Sequence, residues 1–444
     1  MKTWLLQHAT FVNEGKIVEG DMRLKNGRID QMAASITPTP ADEVIDLSGL
    51  YVLPGGIDDQ VHFREPGFPA KACIATESKA AVAGGITSYM EMPNTSPTTT
   101  DHAALTDKLN RAAATSWANY SFFFGANHQN LEAVLSVDPA LTCGIKIFMG
   151  SSTGDMLVDR IDILEKIFGG TDLVIATHCE DEATIRHNQE LAKKRFGDRI
   201  PMSEHLRIRS HEACYLSSSL AIDLARKHHS NLHILHISTA RELDLFTSGP
   251  MQNKKITAEV CVHHLHYEST DYDRLGGQIK CNPAIKLAAD REALWQALAA
   301  DKLDIIATDH APHTWAEKQA SYFQCPSGLP LVQHGFQLML HGVANGKIPI
   351  EKVVEKMCHN PATRFSISER GYLREGYWAD LAVVAIGEKQ LIEKGGIHYH
   401  CGWSPLEGET LDAKIKRTFV NGNLVFDGNF YESKSARALT FSRL

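Results

Sequence analysis

Apolar and polar positions follow two different rhythms along the chain, and the change of rhythm divides it. Near the start, MRLKNGRIDQM alternates with period two around Asn26-Gly27, a dipeptide suited to two-residue hairpin turns with positive φ at both positions. Near the end, IKRTFVNGNLVFDG repeats the device around Asn421-Gly422. Hairpins of this size are marginal alone, so both chain ends are expected to share one small sheet or sandwich. Between them, from about Leu53 to Phe365, short continuous apolar runs take over. Eight of these runs suit buried parallel strands: LPGGID, ITSYMEM, NYSFFF, GIKIFM, LVIATH, LHILHIS, ITAEVCVH and LDIIATD. Ala-, Leu- and Glu-rich stretches between them, such as ESKAAVAGG and REALWQALAA, suit crossover helices.

Eight strand–helix units over roughly 300 residues predict a (β/α)8 TIM barrel, with an open doubly wound sheet as the rival arrangement. The polar residues separate the two. Seven of the runs end in, or are soon followed by, a residue capable of metal or substrate chemistry: His62, Asn94, Lys146, His178, His236, His263 and Asp309. A closed parallel barrel brings all C-terminal strand ends to one face, which makes this ordering intelligible. The expected fold is therefore α/β: a barrel over residues 53–370 and a small β-sandwich formed by residues 1–52 and 371–444.

Composition changes this picture little. The chain has 444 residues, 43% hydrophobic and 22% charged, with 45 Lys and Arg against 53 Asp and Glu for a net charge of −8. That balance argues against nucleic-acid or membrane-surface partners. No apolar run reaches membrane-spanning length, and the expectation is a cytoplasmic protein. The nine cysteines form no CxxC pair and read as reduced, structural thiols. The 22 histidines are more informative, because several end β-branched runs.

A single strand-end histidine is usually a hydrogen-bonded core residue. His62, His178 and His236 together, with Asp309 and a strand lysine, point instead to a metal centre. Lys146 lies inside GIKIFMG, where an ammonium is heavily desolvated. Two readings are open for it: an ion pair with Asp309, or reaction of the neutral amine with carbon dioxide to give a carbamate that bridges two cations.

The segments PGGIDDQVHFREPG, MPNTSPTTT, GIKIFMG, ATHCE, LHILHIST, CNPAIK and IATDHAPH occur in that order, and the chain thereby resembles the dihydroorotases of the amidohydrolase superfamily over nearly its whole length. The resemblance implies a cytoplasmic, often homodimeric enzyme that interconverts N-carbamoyl-L-aspartate and L-dihydroorotate in pyrimidine biosynthesis, using one or two zinc ions. It implies metal ligands at His62, carboxylated Lys146, His178, His236 and Asp309, with Asp309 also as general acid and base. It implies substrate-carboxylate contacts from Arg64, Asn94 and His313, and contacts to the ring amide from Asn282 and the Ser327-Gly328 backbone.

One position departs from the pattern. Gln60 stands where these enzymes usually have a histidine, and an amide oxygen is a weaker zinc donor than imidazole. Three outcomes are open: two metals with Gln60 as a poor ligand or bystander, one metal held by Lys146, His178 and His236, or an inactive relative kept as a partner subunit. The presence of Arg64, Asn94, Asp309 and His313 together favours an active enzyme. Hydantoinase or dihydropyrimidinase, and then allantoinase, are the enzymatic alternatives; Arg64 disfavours them, because their rings offer it no carboxylate. His263 and His264 read as closing the seventh strand, and His310 as a support for a ligand. SYFQCPSGLP reads equally as a mobile flap or a static loop.

Overall fold

In the computed structural model, which describes residues 2–150, 155–433 and 435–443, the chain begins with β1 (Thr3–Asn13), β2 (Lys16–Lys25), β3 (Arg28–Ala33), β4 (Asp42–Asp46) and β5 (Tyr51–Pro54). β1 is the branch point. β2 runs antiparallel along one side of it, while β4 pairs with its first half and β5 with its second. A bulge between Leu6 and Ala9, with His8 at φ 56°, lies at the fork, since an extra residue bends a strand and strengthens its twist.

The barrel follows as β6 (Gly56–Val61), β7 (Ile86–Glu91), β8 (Asn119–Phe122), β9 (Phe124–Gly125), β10 (Ile145–Phe148), β11 (Ile175–His178), β12 (Leu232–Ile234), β13 (Ile256–Cys261) and β14 (Ile305–Ala307). Neighbours pair in parallel throughout. β8 and β9 are one apolar run divided at Phe123: the first part pairs back to β7, the second forward to β10. The ends meet where Val61 bridges His310 in parallel and the His62 N–H donates to the His310 carbonyl at 2.7 Å. First and last strands are thus neighbours, as in a barrel and unlike an open sheet.

The LPGGID run is divided rather than continuous. Tyr51–Pro54 belongs to the terminal sheet, and the barrel strand starts at Gly56. Gly55 marks the crossing because a Cβ there would lie 2.1 Å from Thr87 Oγ1.

After the barrel the chain returns as β15 (Leu381–Leu391), β16 (Thr410–Val420) and β17 (Asn423–Phe426), with β15 pairing to β5. Both chain ends therefore share one eight-stranded sheet, ordered β17-β16-β15-β5-β1-β2-β3 with β4 beside β1. Leu6, Met22 and Val52 pack with Leu381, Val383 and Phe419 in its own core. Both Asn-Gly turns form with positive φ at each residue, 53° and 83° in the first, 48° and 73° in the second. The two turns abut: a Cβ on Gly422 would stand 2.7 Å from Gly27 Cα. The final segment returns to the barrel, where the Leu439 N–H donates to the Tyr120 carbonyl at 2.8 Å and the Ser442 N–H to Ser366 at 2.7 Å. All nine cysteines are free thiols, and among the described residues no helix is long and apolar enough to cross a membrane.

Candidate active site

At the C-terminal ends of the barrel strands a cavity of about 230 Å³ is lined by Gln60, His62, Arg64, Asn94, Lys146, His178, His236, Asn282, Asp309, His313, Ser327 and Gly328. The twelve positions that the resemblance assigns to metal or substrate, Gln60 included, are brought together. Phe148, Ala311 and Pro326 complete the lining. A larger groove of about 590 Å³ lies on the terminal sheet against Phe11, Val18 and Met32, but it gathers no comparable set of titratable groups.

The imidazoles are oriented by hydrogen-bond partners beside them. His178 Nε2 lies 2.9 Å from Glu180 Oε2. Burial alone would raise the Glu180 carboxyl, but Arg209 and His178 beside it hold it at about 2. That carboxylate accepts a hydrogen bond from the Nε2–H, so the Nδ1 lone pair of His178 faces His236 Nε2 at 2.9 Å. His236 adopts φ 42°, donates its backbone N–H to Glu259 Oε1 at 3.0 Å and keeps a buried, unpartnered Nδ1. Burial, with His178 and Lys146 nearby, pushes His236 well below the ordinary histidine range, so it is neutral at pH 7. His62 Nδ1 lies 2.8 Å from Asn94 Oδ1, which leaves its Nε2 lone pair opposite Asp309 Oδ1 at 3.1 Å. A lone pair facing a carboxylate oxygen is repulsive unless a proton or cation lies between them.

Lys146 is 1% exposed, and burial lowers its ammonium to about 8. Its Nζ sits 4.6 Å from the Phe148 ring centre. Among the described residues Asp309 makes its ion-pair contact with His62 rather than with Lys146, so the direct Lys146–Asp309 pair weighed from the sequence is not formed. Converging imidazole nitrogens, a carboxylate and a readily deprotonated amine are a donor set that fits a divalent transition-metal ion. Gln60 contributes differently: its Nε2 donates to Asp309 Oδ1 at 3.1 Å and its Oε1 faces the Cys261 thiol at 3.8 Å.

The other end of the cavity is cationic. Arg64 (φ 67°) is buried, with Nε donating to the Pro312 carbonyl at 3.1 Å. Its Nη2 lies 3.0 Å from His313 Nε2. However, Lys71 Nζ approaches His313 Nδ1 at 3.0 Å and must be the donor there, so the Nε2 proton goes to the Ser327 carbonyl, also at 3.0 Å. Nη2 then meets no acceptor on His313. Among the described residues no carboxylate lies within 4.0 Å of the Arg64 guanidinium, as the ion pairs formed show. Burial lowers it to about 10, which leaves it charged at neutral pH.

The 321–330 segment closes this end. Lys318 Nζ donates to the carbonyls of Lys280, Pro326 and Gly328 at 3.0, 2.9 and 2.7 Å. Lys280 Nζ donates to those of Tyr322 and Cys325, both at 2.6 Å. The geometry is that of a tied loop. Gly328 has φ 135°, and a Cβ on it would stand 2.5 Å from the Ala311 carbonyl oxygen. Asn282 precedes a cis peptide to Pro283, and its Oδ1 lies 3.2 Å from His205 Nε2.

Three histidines singled out earlier lie outside the cavity. His310 spends one ring nitrogen on Glu77 at 2.8 Å and the other on the Leu331 and Val332 N–H groups. His263 and His264 are buried in the single turn Val262–His266. Sequence reasoning missed Glu180, Arg209 and Lys71. Glu180 had a local signal, two residues beyond His178 in ATHCE; Arg209 and Lys71 reach their partners across the fold and had none.

Residues 51–425 match the amidohydrolase family. A dihydroorotase of Halobacterium salinarum is 33% identical over 413 residues, spanning 92% of this chain and 94% of that protein. An allantoinase of Deinococcus radiodurans is 29% identical over 443 residues, 98% of each chain. Among solved structures, an L-hydantoinase from Arthrobacter aurescens superposes with a TM-score of 0.94 at 24% identity, covering 99% of this chain and 100% of that one. That likeness concerns the fold.

Proposed function

The chain belongs to the amidohydrolase family and is a metal-dependent cyclic amidohydrolase, and from that premise we propose that it reversibly cyclises N-carbamoyl-L-aspartate to L-dihydroorotate. The observation that carries this reading is Arg64, a buried guanidinium in the cavity with no carboxylate partner among the described residues. A buried cation is strongly destabilised unless it is paired. A substrate carboxylate supplies the missing charge and matches the planar fork of the guanidinium. The dihydroorotase of Halobacterium salinarum supports the same choice.

In this reading His62, His178, His236, Asp309 and Lys146, the last as its carbamate, hold one or two zinc ions. The lowered basicity of Lys146 favours the carbamate, since its neutral amine is the form that adds carbon dioxide and then releases a proton. Bound zinc supplies Lewis acidity toward the ring carbonyl and lowers the pKa of water. The chain's own groups do the rest. Arg64, Asn94 and His313 fix the ring by its carboxylate, while Asn282 and the Ser327-Gly328 backbone meet the ring amide. Asp309, held by Gln60 Nε2, accepts the proton of the attacking water and delivers it to the departing ring nitrogen; cyclisation reverses both transfers.

The test compares ring opening of L-dihydroorotate, hydantoin, dihydrouracil and allantoin by purified protein and by Arg64→Gln. Turnover of dihydroorotate above the other rings is expected, with kcat/KM for it falling about 100-fold or more in the variant. Faster opening of any ring lacking the carboxylate by the unaltered protein overturns the assignment.

A further inference from the structure

One set of buried ionisable groups takes no part in the chemistry above. Asp59 on β6, His233 on β12 and Glu259 on β13 precede the cavity residues on the same or neighbouring strands, and their side chains are fully buried. His233 Nε2 lies 3.2 Å from Asp59 Oδ2 and 3.6 Å from Glu259 Oε2. One donor atom from each residue falls within 4.8 Å of the other two. Among the described residues these carboxylates have His233 as their ion-pair partner and no lysine or arginine within 4.0 Å.

The hydrogen bonds around His233 suit a metal held through its Nε2. With its hydroxyl proton turned to the Leu232 carbonyl, 3.3 Å away, Thr257 Oγ1 accepts from His233 Nδ1 at 2.8 Å. In that tautomer His233 is neutral and its Nε2 lone pair faces the Asp59 and Glu259 carboxylates. A histidine tautomer set by an outer hydroxyl or carbonyl is the usual support of a metal-ligating imidazole. A proton on Nε2 is the competing occupant: against burial, Asp59 at 3.2 Å and Glu259 at 3.6 Å raise the histidine above its ordinary value. Nε2, both Asp59 oxygens and Glu259 Oε2 are all buried without a hydrogen-bond partner.

We propose that Asp59, His233 and Glu259 form a second cation site, inside the barrel and separate from the catalytic cavity, for a divalent transition-metal ion such as zinc or manganese. Two carboxylates and a neutral imidazole carry charge −2, which one such ion neutralises. The two distances from His233 Nε2, 3.2 and 3.6 Å, suit ligands around a common centre with bonds of about 2.0–2.2 Å. The site also reaches the cavity above it. Glu259 Oε1 accepts the His236 backbone N–H at 3.0 Å and faces the Cys261 thiol at 3.4 Å. An ion on Oε2 thus steadies the carboxylate that holds a candidate catalytic histidine. This inference does not depend on which ring the enzyme opens.

A wholly buried ion enters as the chain folds, so the full-length protein is expressed in medium supplemented with zinc or, separately, with manganese. Metal content is then counted by mass spectrometry after dialysis against EDTA. A His178→Ala/His236→Ala protein, lacking two of the five catalytic donors, is expected to retain about one ion per chain after EDTA, and adding His233→Gln is expected to reduce it to roughly a tenth of that. Crystals of the unaltered protein, which do not depend on any variant folding, are expected to show an anomalous peak between Asp59, His233 and Glu259. Absence of that peak with both metals overturns the proposal, as does a double variant that folds but holds no ion.

Discussion

Gln60 and Glu180 show how single residues set the site. Strand-end His62, His178, His236 and Asp309 were legible in the sequence because each closes an apolar run, and the alternation of a strand fixes where its last side chain points. What Gln60 does was not legible, since its contact with Asp309 spans the first and eighth strands. In the structure it is a donor to Asp309, which supports reading it as a positioning residue. Gln60→His replaces this donor with an imidazole ligand. The variant is expected to hold one more zinc ion after dialysis than the native protein, measured side by side; unchanged content would mean that the native site already retains its full complement. Glu180 contributes to the acid stability of the metal-free protein. Its folded pKa of about 2 lies below the free value of 4.5, so the stability it confers is complete above about pH 4.5 and is lost as pH falls toward 2, roughly 3 kcal/mol in all. Urea midpoints of the metal-free protein between pH 5 and pH 2.5 should fall less steeply in Glu180→Gln.

Among the elements, those with local signals were legible and those fixed by distant contacts were not. The Asn-Gly hairpins needed only neighbouring residues to specify them, and the apolar runs needed only their own length and β-branching. Nothing in NYSFFFG marks the break at Phe123, because it arises where pairing changes from β7 to β10. The 321–330 loop is a similar case. Its sequence suits a flap or a static loop, and two buried ammonium groups from outside its tip make the difference. Lys318→Met removes the donor to three carbonyls at once. A loss of about 3 kcal/mol is expected, with faster amide hydrogen exchange confined largely to residues 321–330 and a higher KM. Unaltered exchange in that segment would show that the loop is held by other means.

At the scale of the molecule, the terminal sheet is what joins beginning to end. That both ends share it was legible from their matching hairpins. The fork at His8 and the return of the last residues to Tyr120 and Ser366 were not, because each pairs segments with no sequence relation to one another. Gly422 is a tight point of the joint. Gly422→Ala places a Cβ against Gly27 Cα at φ 73°, and a drop of about 1–3 kcal/mol is expected, seen as a lower Tm with the cavity residues unchanged in a crystal structure. The same joint has a consequence during synthesis. β5 ends at Pro54, and its partner β15 begins only at Leu381. On a ribosome adding about 5–20 residues per second, the opening strands wait roughly 15–60 s with that edge unpaired. An exposed strand edge is an invitation to the wrong neighbour, and the nascent chain is therefore most open to chaperones, or to aggregation, through its first fifty or so residues until its last strands emerge.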